Sequence, residues 1–420
     1  MNVPGIEFGD EDMGGKILAI EIRNFKSLEC LKLPPGKDSQ TPLNKFSCLI
    51  GLNGAGKSSV LHGIDFLSRL FFGDVDSWLS RRGWKASEIK FNLPSKKDKT
   101  IFLRVSVLTE VGEFEWSGHF SVGGKQCRRE SLFVRTTREI QEDVTMSLLL
   151  EVKDKTLILY DQKGTPLSER IRFLYQGSIL SQLDTKDLGE QVISFRNFMR
   201  SMSSLDLLSP HQIRLNYKKA EDIGLGGEGL FAFIHALSAE KKERFLSVMR
   251  RFYPMLEGVS VLSKAYGWKQ LFIDEKLEKV EGVLKTESHH VNDGMLRLMG
   301  IVAQTLSDKQ FLMFDEIENG FNPDLIKELV RYLMDDVKQQ VLVTTHSPLV
   351  LQYLPDEEAR KAVLFVYKDE GKTRCVRFFD VPEAAERLQF MGPGEAYADT
   401  DLPLFVERLK RERRDEENRE

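Results

Sequence analysis

The 420-residue chain holds 41% hydrophobic and 30% charged residues, an ordinary globular balance with room for two or three domains. Its 60 Lys and Arg against 64 Asp and Glu give a net charge of −4, which excludes a global basic field for non-specific nucleic-acid binding and leaves only local patches. Cys30, Cys48, Cys127 and Cys375 lack CxxC spacing, arguing against a disulfide framework or structural zinc. No run approaches the ~18 apolar residues of a membrane span, so a cytoplasmic chain with no membrane contact is expected.

The acidic opening "MNVPGIEFGDEDMGG" has no positive start or apolar core of a signal peptide and reads as a flexible arm. "KILAIEIRNFKSLECLKL" alternates apolar and polar residues as a strand, a turn at "NFKS" and a second strand; "KFSCLIG" is a fully apolar strand. Between Thr100 and Tyr160, short alternating runs broken by Gly and charged turns predict an antiparallel meander. Ser178 to Ala265 reads as largely helical, with Pro210, Pro254 and "GLGGEG" ruling out a long coiled coil. The last third alternates helix and buried strand: "DGMLRLMGIVAQTLS", "FLMFD", "DLIKELVRYLMDDV" and "VLVTT". This order predicts an α/β fold with a parallel sheet. "AVLFVYKDEGKTRCVRFFDV" reads as a hairpin, and "LFVERLKRERRDEENRE" as a charged, fraying terminal helix.

"GLNGAGKS", Gly51 to Ser58, fits G-x-x-x-x-G-K-[ST] between a strand and a helix, which predicts a phosphate-binding loop. Its backbone N–H groups and the helix N-terminus face phosphates, so Asn53, Gly54, Ala55, Gly56, Lys57, Ser58 and Ser59 are the candidate nucleotide contacts. Lys57 would reach the β- and γ-phosphates and Ser58 would ligate Mg²⁺, making ATP and Mg²⁺ the expected ligands. In "QFLMFDEIENG", a buried strand carries Asp315 and Glu316 to its C-terminal end. One carboxylate there suits a Mg²⁺ shell and its neighbour suits a base for water, although an acidic turn alone has the same look. His346, just past the strand "VLVTT", is placed to hydrogen-bond a γ-phosphate or the attacking water.

"RNFKSL", "GLNGAGKSS", "YQGSI", "NDGMLRL", "FDEIENGFNP" and "TTHSP" follow one another in the order seen in ABC-type ATPases of the SMC, RecF and overcoming-lysogenisation-defect (OLD) families, which the chain resembles from about Ile17 to Leu354. The resemblance implies a P-loop NTPase of ABC-ATPase type, with a mixed or parallel sheet core, an antiparallel β lobe and a helical lobe. It implies a flexible arm (1–15), a first ATPase lobe (16–177), a helical insertion (178–290), a second ATPase lobe (291–385) and a C-terminal tail helix (386–420). It makes Gln176 a Mg²⁺ ligand beside Ser58 and Asp315, Glu316 the base, and His346 its helper. "NDGMLRL" becomes the signature that caps the nucleotide of a second subunit through Asn292 and Gly294. Asn292 stands where that signature usually has serine, and a plain helix cap by Asn292 or Asp293 is the alternative reading.

The resemblance further implies a homodimer or higher homo-oligomer and, from stand-alone OLD-like ATPases, a nuclease or toxin partner in bacterial anti-phage defence. A RecF-like DNA-repair ATPase and a transporter subunit are the alternatives. "DEGK" at Asp369 to Lys372 and "ADTD" at Ala398 to Asp401 lack the scaffold of a nuclease metal site. The basic runs at 80–99 and 125–139 offer a DNA or RNA strip, with Trp78 and Trp84 for stacking, or else a solvated face. "MGPGEAY" is a Gly-Pro turn with no assigned mechanism.

Overall fold

The computed structural model describes residues 15–36, 42–91, 100–137, 144–161, 163–206, 208–215, 222–263, 267–277 and 282–417. The acidic arm up to residue 14 and parts of both basic runs (92–99 and 138–139) lie outside the described residues.

β1 (Lys16–Phe25) and β2 (Leu28–Leu33) form the expected hairpin, and β3 (Phe46–Ile50) is buried at every position. β4 (Thr100–Thr109), β5 (Gly112–Ser121), β6 (Gln126–Thr137), β7 (Val144–Lys153), β8 (Thr156–Tyr160) and β9 (Pro166–Arg170) run as an antiparallel meander. β1 pairs with β4, so hairpin and meander join in one eight-stranded sheet ordered β2-β1-β4-β5-β6-β7-β8-β9.

The other large sheet draws on both halves of the chain. β10 (Met202–Leu205) lies outside a small antiparallel sheet of β11 (Leu256–Ser263), β12 (Lys269–Lys276) and β13 (Val283–Glu287). It pairs instead with β14 (Phe311–Phe314), followed by β15 (Gln340–Thr344), β3, β16 (Val363–Asp369) and β17 (Lys372–Arg377). All neighbours are parallel except β16 and β17, the expected hairpin. β3, β14 and β15 are buried at every position because both faces of this sheet are covered.

The helix Lys57–Phe72 fills the space between the two large sheets. Its apolar positions Ile64, Leu67 and Phe71 recur at helical spacing and pack with Ile22, Val105 and Trp116 from one sheet and Leu342 and Leu364 from the other. Each such side chain, fully buried, contributes about 1.5–3 kcal/mol. Gly73 ends the helix in the left-handed conformation, and its N–H donates to Arg69 O at 3.2 Å. On the far side, the helices Asp293–Thr305, Pro323–Arg331 and Leu402–Glu417 cover the parallel sheet with Leu296, Leu329 and Phe405.

Two expectations need correction. The stretch between 178 and 290 is not only helical: besides the helices Glu190–Arg200, Leu230–Ala236 and Ala239–Phe252 it contains β10 to β13. β11, β12 and β13 are mostly half-buried or exposed, so their alternation is weak and the stronger helical periodicity beside them dominates the pattern. The terminal helix does not fray from its start. Phe405, Val406 and Leu409 are buried, with the Phe405 ring 5.1 Å from Phe365 and 5.3 Å from Phe378.

Candidate nucleotide site

Adjacent parallel strands deliver three loops to one edge of the sheet, the C-terminal edge where α/β folds bind ligands. β3 leads to Gly51–Ser58, β14 to Asp315 and Glu316, and β15 to His346. Gly56, at φ 110°, turns the first loop into its helix; a Cβ there would lie 2.2 Å from Thr373 Oγ1, so only glycine fits. Asn53 and Gly54 are exposed, Ala55 is buried and Ser59 is half-buried. Lys57 Nζ donates to Gly51 O at 2.9 Å and lies 3.4 Å from His346 Nδ1.

Ser58 Oγ donates to Asp315 Oδ2 at 3.2 Å, joining the phosphate loop to the β14 carboxylate. Asp315 Oδ1 accepts from the Thr344 hydroxyl, which also accepts from Glu316 N at 2.8 Å. Glu316 has φ 48°, a strained conformation for a non-glycine residue and one that recurs at functional sites. Its exposed carboxylate accepts only from Asn319 Nδ2, at 3.2 Å, among the described residues.

Burial pushes the Asp315 carboxyl up; the Thr344 and Ser58 hydrogen bonds offset part of this, and the neighbouring Glu316 adds to it. Burial also lowers the Lys57 ammonium, against the pull of Asp315, Glu316 and Glu318. His346 is lowered by burial and then by the Lys57 charge, so its imidazole is neutral at pH 7. The hydroxyl and carboxylate oxygens of Ser58 and Asp315 are hard donors of the kind Mg²⁺ takes alongside phosphate oxygens and water. No larger cluster of His, Cys, Asp and Glu suited to a metal exists among the described residues.

The remaining predicted residues lie apart from this centre. Gln176 Oε1 accepts from Asp76 N at 2.9 Å and its Nε2 donates to Asp76 Oδ2 at 2.7 Å, so the amide is engaged there and not with Ser58 or Asp315. Asn292 is an exposed helix N-cap whose Oδ1 accepts from Met295 N at 2.7 Å, as the plain-cap alternative anticipates. A Cβ on Gly294 would lie 2.7 Å from Gly320 O, so close packing alone requires glycine there. No hydrogen bond joins 292–294 to 51–59 among the described residues.

The stacking pair fails in part. Trp78 is buried, with its indole N–H donating to Asp65 Oδ2 at 2.6 Å, so it presents no face to a base. Arg82 from the same basic run has a buried guanidinium bonded to Asp65 and Asp206. Trp84 is half-buried under Lys26, whose Nζ lies 3.1 Å from the ring centroid.

Several residues at the site escape sequence reasoning. Glu318 Oε1 accepts from His346 N at 2.7 Å, while Oε2 is buried without a partner. Its signal, a third acid in "DEIEN", is hidden beside two stronger ones. Thr373 Oγ1 reaches Ala55 O at 3.0 Å and Ser27 Oγ at 2.8 Å, bracing the loop from β17. The unassigned "MGPGEAY" becomes the short helix Pro393–Ala398, with Tyr397 buried behind the loop and facing the Gly51 amide.

An AAA-domain family model matches residues 19–244, more than half of the chain. A second, described as "AAA domain, putative AbiEii toxin, Type IV TA system", matches residues 177–352. Among solved structures, the Smc head domain with an extended coiled coil from Pyrococcus furiosus, bound to the C-terminal domain of ScpA, aligns at TM-score 0.51 and 12% identity. That alignment covers 89% of this chain and 100% of the other. The SMC head domain from Thermotoga maritima aligns at TM-score 0.44 and 14% identity, covering 86% and 98%. No curated protein matches the chain. No helix among the described residues is long and apolar enough to cross a membrane.

Proposed function

The chain belongs to the AAA-domain family of P-loop ATPases, and from that premise we propose that it hydrolyses ATP as a nucleotide-dependent dimer switch controlling a nuclease or toxin partner in bacterial anti-phage defence. The observation that carries the catalytic half is the Ser58–Asp315 hydrogen bond at 3.2 Å, which fixes the phosphate loop against the strand end bearing Glu316.

In this reading the Gly51–Ser58 amides and the helix N-terminus bind the triphosphate, and Lys57 leaves the Gly51 carbonyl for the β- and γ-phosphate oxygens. Ser58 and Asp315 hold Mg²⁺, which when bound draws off the charge that develops on the phosphates. Gln176 joins them only on releasing Asp76. Glu316 accepts the proton of the attacking water, and neutral His346, whose backbone N–H donates to Glu318, steadies the γ-phosphate.

For the switch, the supporting feature is the exposed N-terminus of the helix Asp293–Thr305, which shares no hydrogen bond with its own chain's phosphate loop and is open to cap a second copy's nucleotide. The match to an AbiEii-type AAA domain and the ScpA-bound Smc head support control of a partner protein. The RecF-like alternative loses support from the burial of Trp78 and Arg82. Glu316→Gln should slow turnover on the order of a hundredfold or more while retaining ATP. Light scattering of this variant with ATP should give twice the monomer mass, and a monomer at micromolar protein would sink the switch.

A further inference from the structure

The two edges of the eight-stranded sheet differ. β2 is covered by β17: Thr373 N donates to Ser27 O at 2.8 Å, and Lys372 and Arg374 pair with Glu29 at 3.3 and 2.9 Å. β9, at the other end, pairs only with β8 among the described residues and is exposed at all five positions. One row of its backbone N–H and C=O groups is therefore open to another strand.

Large apolar side chains accompany this edge: Leu167 on β9 is 62% exposed, and Phe173 and Leu174 just beyond it are 50% and 96% exposed. Beside them runs a groove of about 750 Å³ bearing Arg128, Arg129, Lys155 and Arg172 against one carboxylate, Asp154. None of these four cations has an ion-pair partner among the described residues, whereas nearby Lys125 is paired with Asp76 at 2.5 Å. Tyr175 closes the groove; its hydroxyl donates to Cys127 O at 2.7 Å, and the next residue is Gln176.

We propose that the β9 edge and this groove are the docking site for an acidic, extended segment of a partner protein, which adds as a ninth strand and seats an apolar side chain against Phe173 and Leu174. The proposal deepens the partner-control reading above and rests on it for the partner's role. An open strand edge calls for another backbone and the cations for carboxylates, a pairing that gives both affinity and register. Nucleic acid fits less well, since it leaves the strand edge unpaired and finds one half-exposed aromatic ring, Phe173, between the aliphatic Leu167 and Leu174. A second copy offers this edge no acidic strand, since β9 itself carries one carboxylate, Glu169, beside Arg170. The position gives docking a consequence, because the segment would lie one residue from Gln176.

The test selects a random dodecapeptide library on the full-length protein and compares the enriched peptides on wild type and on the Arg128→Glu/Arg172→Glu double variant. Basal ATP turnover of the variant should match wild type, which shows that it is folded. The expected peptides are acidic with alternating apolar residues, bind wild type about tenfold or more tightly than the variant, and slow amide exchange at 167–170. Enriched peptides without acidic bias, equal binding to both proteins, or bound peptide without β9 protection would each overturn the proposal. So would oligothymidylate that binds wild type and not the variant while peptides do not, or a nucleotide-free wild-type dimer broken by Leu174→Ala. Failure of the dimer switch appears separately, in the light scattering of Glu316→Gln.

Discussion

Asp206, buried, and Asp315, half-buried, are both carboxylates beside the helix Lys57–Phe72, yet their surroundings treat charge in opposite ways. Burial pushes the Asp206 carboxyl up, but the His62 hydrogen bond and the Arg82 charge overcome it and hold the group at about 2. Arg82 binds Asp206 at 2.8 Å and Asp65 at 2.6 Å, His62 Nε2 lies 3.0 Å from Asp206, and Trp78 donates to Asp65. That cluster is closed. Asp315 has only the neutral hydroxyls of Ser58 and Thr344 as hydrogen-bond partners, with Glu316 repelling it, and its carboxyl stays raised. A carboxylate held by neutral hydroxyls, with no ion pair among the described residues, is placed to meet an arriving cation, whereas one inside an ion-paired cluster supports the fold.

The contrast breaks most severely if the open site proves inert. Lys57→Ala should lower ATP turnover on the order of a thousandfold or more while the far-ultraviolet spectrum and Tm hold, because the backbone partners of the ammonium are the loop's own Gly51 and Leu52 carbonyls, which in the proposed reading it leaves for the phosphates. Unchanged turnover would remove the phosphate loop from the chemistry. The complementary change is Arg82→Ala, which takes the guanidinium from Asp206 and leaves Asp65 with only the longer cation contact to Arg69 at 3.7 Å, and should cost about 3–5 kcal/mol in urea unfolding. A loss under about 1 kcal/mol would show that the cluster is not a structural lock.

Acid sharpens the same comparison. A carboxyl held at about 2 against about 3.9 in the unfolded chain contributes stability that is present above pH ~4 and lost as pH falls through its folded value, roughly 2–3 kcal/mol in all. Wild type should therefore exceed Asp206→Asn by about that amount at pH 7, and the gap should shrink as pH is lowered from about 5 to 3. A constant gap over that range would mean that the ionised form is not what the site favours.

The open site was legible in sequence and the closed one was not, for a physical reason. Gly51–Ser58, Asp315 with Glu316, and His346 each follow a short apolar strand, and parallel pairing brings strand ends together without further instruction. The closed cluster joins residues from 62 to 206 that share no local pattern; Arg82 and Trp78 even read as surface groups because charge and aromatic content say nothing of partners 124 and 13 residues away. β11 to β13 escaped through weak alternation, and β10 because four residues are too few for a period. Gln176 and Asn292 were expected at the nucleotide, and their partners in this structure, Asp76 and Met295 N, required coordinates.

The smallest expected effect concerns how the open site is kept in shape. Thr373, on β17, is buried with its hydroxyl 3.0 Å from Ala55 O, and Gly56 passes so near that a Cβ would collide with the same hydroxyl. Thr373→Val keeps the shape but leaves the Ala55 carbonyl without this donor, which should cost about 1 kcal/mol of stability. If the β16–β17 hairpin also sets the loop's curvature, the KM for ATP should rise a few-fold with kcat nearly unchanged, since the loop binds the triphosphate before the chemistry begins. A stability loss with unaltered KM would assign the hairpin to the closed, structural side of the comparison, and a fall in kcat alone would place Thr373 nearer to Glu316 than the 3.0 Å contact with the loop implies.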